Sequence, residues 1–317
     1  MMKVLFITGA TATGKTDISI ALAEELRGEI ISSDSMQIYR GMDIGTAKAS
    51  REVQLRVPHH LIDVCEPSDS FSVQQYRELA ISAIEDISSR GLLPIVVGGT
   101  GLYIDALLRG PMSDAPGADP EYRDRLLSAI RTDEDRHALW ERLRELDPES
   151  AEKTHENNVR RVIRALEIYE KTGKTKSFFD QRSRESSSDI DPLVVWLDMH
   201  SREELYRRID LRVDKMMDEG LLSEVTALLR DGRLKPDTTA SQAIGYKEII
   251  GHLSGECSLS DAVEEIKLSS RRYAKRQLTW FRHLDAHHVY LDREAGEARA
   301  RSEIIREIKE IINNKFK

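Results

Sequence analysis

Cysteine is nearly absent from this chain of 317 residues: Cys65 and Cys257 are its two thiols, far apart and without metal-ligand spacing. That excludes a disulfide framework and a cysteine-type zinc site, so both read as reduced bystanders. Long apolar runs are missing too, none approaching the roughly 20 residues of a membrane span. Met1-Met2-Lys3 leads straight into a strand-like run, with no room for a signal peptide. These absences predict a cytoplasmic protein with no membrane partner. Without an internal repeat, a heptad pattern or an exposed apolar stripe, a monomer is the expected state.

Net charge is −8, with 40% hydrophobic and 32% charged residues, the composition of a chain able to bury a large α/β core and a smaller second one. One stretch has no acid at all. Between Ile266 and Leu284 stand Lys267, Arg271, Arg272, Lys275, Arg276 and Arg282. Helical spacing puts Arg271, Lys275 and Arg282 on one face and Arg272 and Arg276 on the next, leaving Leu268, Tyr273, Leu278 and Phe281 toward a core. Such an island is a solvated helix face or a footing for a nucleic-acid backbone. A phosphate loop elsewhere in the chain, and Trp280 beside the island, favour the second.

That loop is Gly9-Ala10-Thr11-Ala12-Thr13-Gly14-Lys15-Thr16, after the apolar run Val4-Leu5-Phe6-Ile7 and before a helical pattern through Ile18, Ala21, Leu22 and Leu26. Strand, loop and helix in that order are the context in which backbone N–H groups turn around an oxyanion, Lys15 neutralises it and Thr16 ligates Mg²⁺. Loops of this kind hold ATP as readily as any other polyphosphate.

Further strand-like runs at Glu29 to Ser32, His59 to Val64, Pro94 to Val97, Leu193 to Leu197 and Val289 to Leu291 alternate with helical patterns. They predict an α/β fold: a P-loop NTPase-like parallel sheet with helices on both faces. From Pro111 to Pro192 the strands stop. Tyr122 to Ile130, Arg136 to Leu146 and Val159 to Glu170 read as helices, followed by a Ser-rich polar loop from Gln181 to Pro192. The expected division is a core of residues 1–110 and 193–317 interrupted by an all-helical insertion, 111–192.

Two more motifs follow strands. Ser32-Ser33-Asp34-Ser35-Met36-Gln37-Ile38-Tyr39 ends the second run, and Gly98-Gly99-Thr100-Gly101-Leu102-Tyr103 ends the fourth. Ligands in open parallel sheets sit beyond the carboxyl ends of the strands, which brings Asp34 beside the phosphate loop as a metal partner, a general base or an N-cap. The glycine motif alone reads as a strand-to-helix turn capped by Thr100. Leu61-Ile62-Asp63 is a weak candidate for a metal-bearing strand end.

Taken together, GATATGKT, SSDSMQIYRGMDIGTAK, PHHLIDV, VVGGTGLYIDALL, NNVRRVIRALEIY, RVDKMMDEGLLSEV, QAIGYKE and RRYAKRQLTWFR, in that order, closely resemble the bacterial tRNA dimethylallyltransferases. The departures are small: that family usually has Pro where Ala10 stands and Ser where Thr13 stands. The resemblance implies transfer of the dimethylallyl group of dimethylallyl diphosphate to N6 of the adenosine beside the anticodon of a tRNA, with Mg²⁺ as cofactor. The loop, Gly9 through Thr16 with Ala10, Thr11, Ala12, Thr13, Gly14 and Lys15, then holds a departing diphosphate.

By the same resemblance Asp34 is the base, Thr100 lies near the reacting groups and the tRNA, and Arg212 clamps the diphosphate. The implied tRNA contacts are Asp34, Ser35, Met36, Gln37, Thr100, Arg123, Asn158, Val159, Arg160, Arg161, Val162, Gln242 and Lys247, with Arg271, Arg272, Lys275 and Arg276 of the basic helix on the backbone of the anticodon stem-loop. An adenylate dimethylallyltransferase or a small-molecule kinase would share the phosphate loop but not the basic helix, and a non-catalytic RNA-binding module would share the helix alone.

Overall fold

The computed structural model describes residues 1–109, 116–185, 189–294 and 296–316. The chain opens with β1 (Met2–Gly9), α1 (Lys15–Leu26), β2 (Gly28–Ser33), α2 (Arg51–Arg56), β3 (His59–His60), α3 (Val73–Ser89), β4 (Leu93–Gly98) and α4 (Gly101–Leu108). Five helices follow: α5 (Pro120–Ala129), α6 (Asp133–Leu146), α7 (Pro148–Glu152), α8 (Val159–Thr172) and α9 (Lys176–Glu185). The sheet then resumes with β5 (Ile190–Asp198), α10 (Arg202–Asp218), α11 (Leu221–Arg230), α12 (Tyr246–Leu253), α13 (Leu259–Phe281), β6 (His287–Tyr290) and α14 (Arg301–Lys315). Two compact units result, Met1–Leu108 with Asp189–Lys317, and Arg109–Ser188.

In the larger unit six parallel strands run in the order β3-β2-β4-β1-β5-β6. Every residue of β1 from Val4 onward is buried, because helices cover both faces and the sequence answers with an unbroken apolar run rather than alternation. A second apolar cluster gathers Ile38, Tyr39 and Met42 with Val213 and Met216 of α10 and Ile266 of α13. No helix among the described residues is long and apolar enough to cross a membrane.

The third strand is shorter than its sequence suggests. Only His59 and His60 pair, with Ile30 and Ile31. Leu61 and Asp63 then take left-handed backbone angles, φ 62° and 57°, and Asp63 and Val64 donate instead to the carbonyls of Gln37 and Ile38. The Asp63 carboxylate accepts from Lys48 at 2.6 Å and does not line the phosphate cavity, so it is a loop tie rather than a metal-bearing strand end.

At the opposite end of β2, Glu29 is buried against Arg90, which donates at 2.7 Å, and against His60, also at 2.7 Å. The Arg90 hydrogen bonds hold the carboxyl down to about 2 against the cost of burial. Its contribution to stability is therefore complete above the ordinary glutamate range and is lost as pH falls from about 4.5 toward about 2. Glu29→Gln is expected to cost about 1–2 kcal/mol at neutral pH and to flatten the acid limb of the urea-denaturation profile.

Helices are the regular elements of the smaller unit among its described residues. Its core is Leu143, Ala151, Val162, Ala165 and Leu166, and Asp119, Thr132 and Asp147 accept backbone N–H bonds at the starts of α5, α6 and α7. The polar loop expected from Gln181 is shorter than predicted. Buried Phe179 and the Lys176–Asp180 ion pair one turn apart carry α9 on to Glu185, and β5 already begins at Ile190. Residues 186–188 of that stretch lie outside the described residues.

Candidate active site

Strand register brings three motifs to one level. Thr8 and Ser33 both pair with Gly98, so the phosphate loop, Asp34 and the Gly98-Gly99 turn leave the carboxyl ends of three adjacent strands side by side. The loop is shaped from within: Thr13 Oγ1 donates to the carbonyl of Ala10 at 2.8 Å, and Lys15 Nζ donates to those of Gly9 and Ala10 at 2.9 and 2.7 Å. Ala12 and Gly14 sit in the left-handed region, φ 64° and 75°, the alternation that aims successive N–H groups toward a common anion.

Beside the loop lies a cavity of about 80 Å³ lined by Thr11, Lys15, Thr16, Asp34, Gln37 and Arg212, among others. Two cations against one carboxylate leave it electropositive. Burial, reinforced by the neighbouring Arg212, pushes the Lys15 ammonium down to about 7, with Asp34 opposing the shift, and burial likewise lowers Arg212. Burial penalises charge of either sign, but an anion entering between Lys15 and Arg212 relieves their mutual repulsion and favours the protonated lysine.

Asp34 Oδ1 accepts from Met36 N–H at 2.9 Å, and Thr100 Oγ1 accepts from Ser35 N–H at 3.1 Å. Asp34 thus caps its own turn and also faces the cavity. An adjoining cavity of about 290 Å³ shares Thr11, Asp34, Thr46, Arg212 and Tyr273, and continues past Met36, Ile209, Val213, Met216 and Ile266 to Gln242 and Arg276. The two together offer a polar end for phosphates and a roomier, partly apolar end for a ring or chain, with Asp34 on the wall of both. Gln37 accepts from Ser32 Oγ at 2.9 Å and donates to the Thr46 carbonyl at 3.2 Å, so its amide is fixed by its own neighbours.

Several residues enter the site unannounced by sequence. Tyr273, which helical spacing turned toward a core, lines both cavities instead, and burial beside Asp34 pushes its phenol up to about 12, keeping it neutral. The cavity-lining segment 43–46 is held by Glu224, which accepts from the N–H groups of Asp43, Ile44 and Gly45 at 2.9, 2.8 and 3.2 Å and from the Tyr246 hydroxyl at 2.5 Å. Gln277, another cavity residue, is an uncharged amide one turn past Tyr273 in an otherwise basic stretch.

Other expected contacts have different surroundings. Val162 is 1% exposed in the core of its unit, which leaves its side chain no surface for a nucleic acid. Arg123 donates to the fully buried Glu167 at 2.8 Å, beside Arg164. Arg271 is bound to Asp210 at 2.6 Å, and Lys267 to Asp214 at 2.8 Å, so α10 neutralises that edge of the basic helix. Arg272, Lys275 and Arg276 line a shallow surface groove with Thr279, with Arg272 3.6 Å from Glu265 and Arg276 stacked over the Tyr273 ring. Asn158, Arg160 and Arg161 are exposed at the start of α8 with Val159 half-buried, and Gln242 and Lys247 are exposed.

Residues 37–284 match the family described as IPP transferase. The chain is 52% identical over 281 residues to a tRNA dimethylallyltransferase of Geobacillus thermodenitrificans, covering 88% of this chain and 87% of that one. Among solved structures it is similar to the tRNA delta(2)-isopentenylpyrophosphate transferase of Staphylococcus epidermidis, at 39% identity and a TM-score of 0.71 over 99% of this chain and 100% of the other. A eukaryotic dimethylallyltransferase solved acting on tRNA is 33% identical with a TM-score of 0.77, over 92% of this chain and 74% of its own.

Proposed function

Because this chain belongs to the IPP transferase family, it is an enzyme that transfers a prenyl group to tRNA, and we propose that its donor is dimethylallyl diphosphate, held by residues Gly9 to Thr16. The observation that carries this assignment is the pairing of Lys15 and Arg212 in one cavity with Asp34. Two desolvated cations suit a diphosphate whose charge grows as it leaves. Thr16 lines the same cavity and brings a hydroxyl oxygen to it. A hard oxygen donor of this kind fits Mg²⁺: Thr16 would be the chain's own ligand to the ion, which would add positive charge at the leaving group.

In the proposed reaction the exocyclic N6 of adenine attacks the allylic carbon. The N–C bond forms, the C–O bond breaks, its electron pair leaves with the diphosphate, and the N6 proton passes to the Asp34 carboxylate. Asp34 is needed because the N6 lone pair is delocalised into the ring and the amine is a poor nucleophile. Thr100 fixes the Asp34 turn through Ser35 N–H. An adenine in a stacked loop cannot reach such a carboxylate, so the base is extruded into the larger cavity past Met36 and Gln242.

The remaining tRNA contacts are assigned to Ser35, Gln37, Lys247, Arg272, Lys275 and Arg276 in the larger unit and to Asn158, Val159, Arg160 and Arg161 in the smaller. Arg123 and Arg271 serve there only by sharing their present carboxylate partners. The enzyme acts as a monomer in the cytoplasm, where its tRNA is. Incubation with labelled dimethylallyl diphosphate, Mg²⁺ and either tRNA, AMP or ATP tests the assignment. Label in tRNA alone is expected; label in AMP points to an adenylate prenyltransferase, and none anywhere to a kinase or a binder.

The basic helix makes its own prediction. Replacing Lys275 and Arg276 together by Ala is expected to weaken tRNA binding evenly across tRNA species and to flatten the slope of log affinity against log salt by about 1.5, as two neutralised phosphates are lost. An unchanged slope assigns the pair to surface solvation.

A further inference from the structure

Gln277 of α13 is 6% exposed and bridges two backbone groups that belong to different strand ends. Its Oε1 accepts from Thr11 N–H at 2.9 Å and its Nε2 donates to the Gly99 carbonyl at 2.9 Å. Thr11 stands in the phosphate loop just before the left-handed turn at Ala12, and Gly99 precedes Thr100. The approach is as close as backbone allows: a Cβ on Gly99 would stand 2.1 Å from Gln277 Nε2, and one on Gly101 would stand 2.5 Å from the Trp280 ring. The glycines of the Gly98-Gly99-Thr100-Gly101 motif therefore make room for α13 at two of its positions.

We propose that Gln277 is a positioning residue for the donor diphosphate. Thr13 and Lys15 brace the loop from inside, and Gln277 braces it from outside at its first turn. Without that brace the partly buried Thr11 N–H loses its partner, and the strained turn at Ala12 relaxes away from the geometry that converges its N–H groups. The same amide holds the Gly99 carbonyl at the wall of the donor cavity. This inference rests on the reading of the loop as the donor site.

Q277M tests it, since methionine keeps the volume and packing of glutamine and removes both hydrogen bonds. Donor KM, tRNA KM and kcat are measured on the full-length enzyme, alongside calorimetric binding of inorganic pyrophosphate with Mg²⁺. Donor KM and pyrophosphate Kd are expected to rise about tenfold while tRNA KM stays within twofold. A purely structural role would move both substrates or neither. Should Q277M fold poorly, Q277L, which likewise removes both hydrogen bonds with a smaller side chain, is expected to give the same donor-specific split. Donor KM and pyrophosphate Kd within twofold of wild type in either folded variant overturn the role of Gln277. Absence of prenyl transfer by the wild-type enzyme itself overturns the donor reading beneath it.

Discussion

Asp34→Ala is expected to lower kcat by about 10²–10⁴-fold while tRNA affinity, measured by filter binding, stays near that of the wild type. The carboxylate stands on the wall of both cavities, where it can meet the attacking amine, and few of the proposed backbone contacts depend on it. Loss of the Asp34 bond to Met36 N–H loosens the turn, so Asp34→Asn is the companion variant: its amide oxygen still accepts that bond but takes no proton at neutral pH. If both variants lose turnover, proton acceptance is the missing step. Near-normal turnover in Asp34→Asn would remove Asp34 as the base and leave it as a cap.

Lys15→Met is expected to raise donor KM or abolish saturation, an effect of about 10²–10³-fold, and at the same time to change how the stability of the free protein depends on pH. Both follow from one displaced titration. Burial and Arg212 hold the ammonium at about 7 instead of its ordinary 10.5, so between those values the unfolded chain binds a proton that the folded chain does not. The penalty is fully present below about pH 7 and fades as pH rises toward 10.5. Because the variant also loses the Lys15 bonds to the Gly9 and Ala10 carbonyls at every pH, the signature is in the pH dependence. Its melting temperature relative to wild type should be a few degrees higher at pH 7 than above that window. Donor capture by the wild type should weaken as pH rises through 7, because the protonated lysine is the form that meets the diphosphate. A Lys15→Met protein whose melting temperature differs from wild type by the same amount at every pH, with unchanged donor KM, would contradict both halves of this account.

The parallel sheet was legible because β1, β4 and β5 each carry a run of consecutive apolar residues, and β2, though it holds Glu29, Ser32 and Ser33, keeps Ile30-Ile31 at its centre. The phosphate loop was legible because its turn needs glycine and its anion needs lysine at fixed spacing. The β3 strand was overestimated because periodicity registers apolar character through Ile62 but not the left-handed turns at Leu61 and Asp63 that take the chain out of the sheet. The electrostatic partners of Arg271 and Arg123 were beyond the reach of spacing, since Asp210 and Glu167 lie 61 and 44 residues away. Tyr273 was turned toward a core for a related reason. Helical periodicity says which side a residue faces, whereas the lining of a cavity depends on what the fold brings opposite that side.

The Thr11–Gln277 bond spans 266 residues of sequence. A ribosome that has finished the phosphate loop, the Asp34 turn and even Arg212 has still not made α13, which supplies Tyr273, Gln277 and the outer brace of the loop. The larger unit is also split around the smaller one, so its sheet waits for β5 before β1 gains its second neighbour. The donor pocket is therefore a late product of synthesis. A nascent or truncated chain that stops short of α13 carries the phosphate-loop sequence without the pocket proposed for the donor.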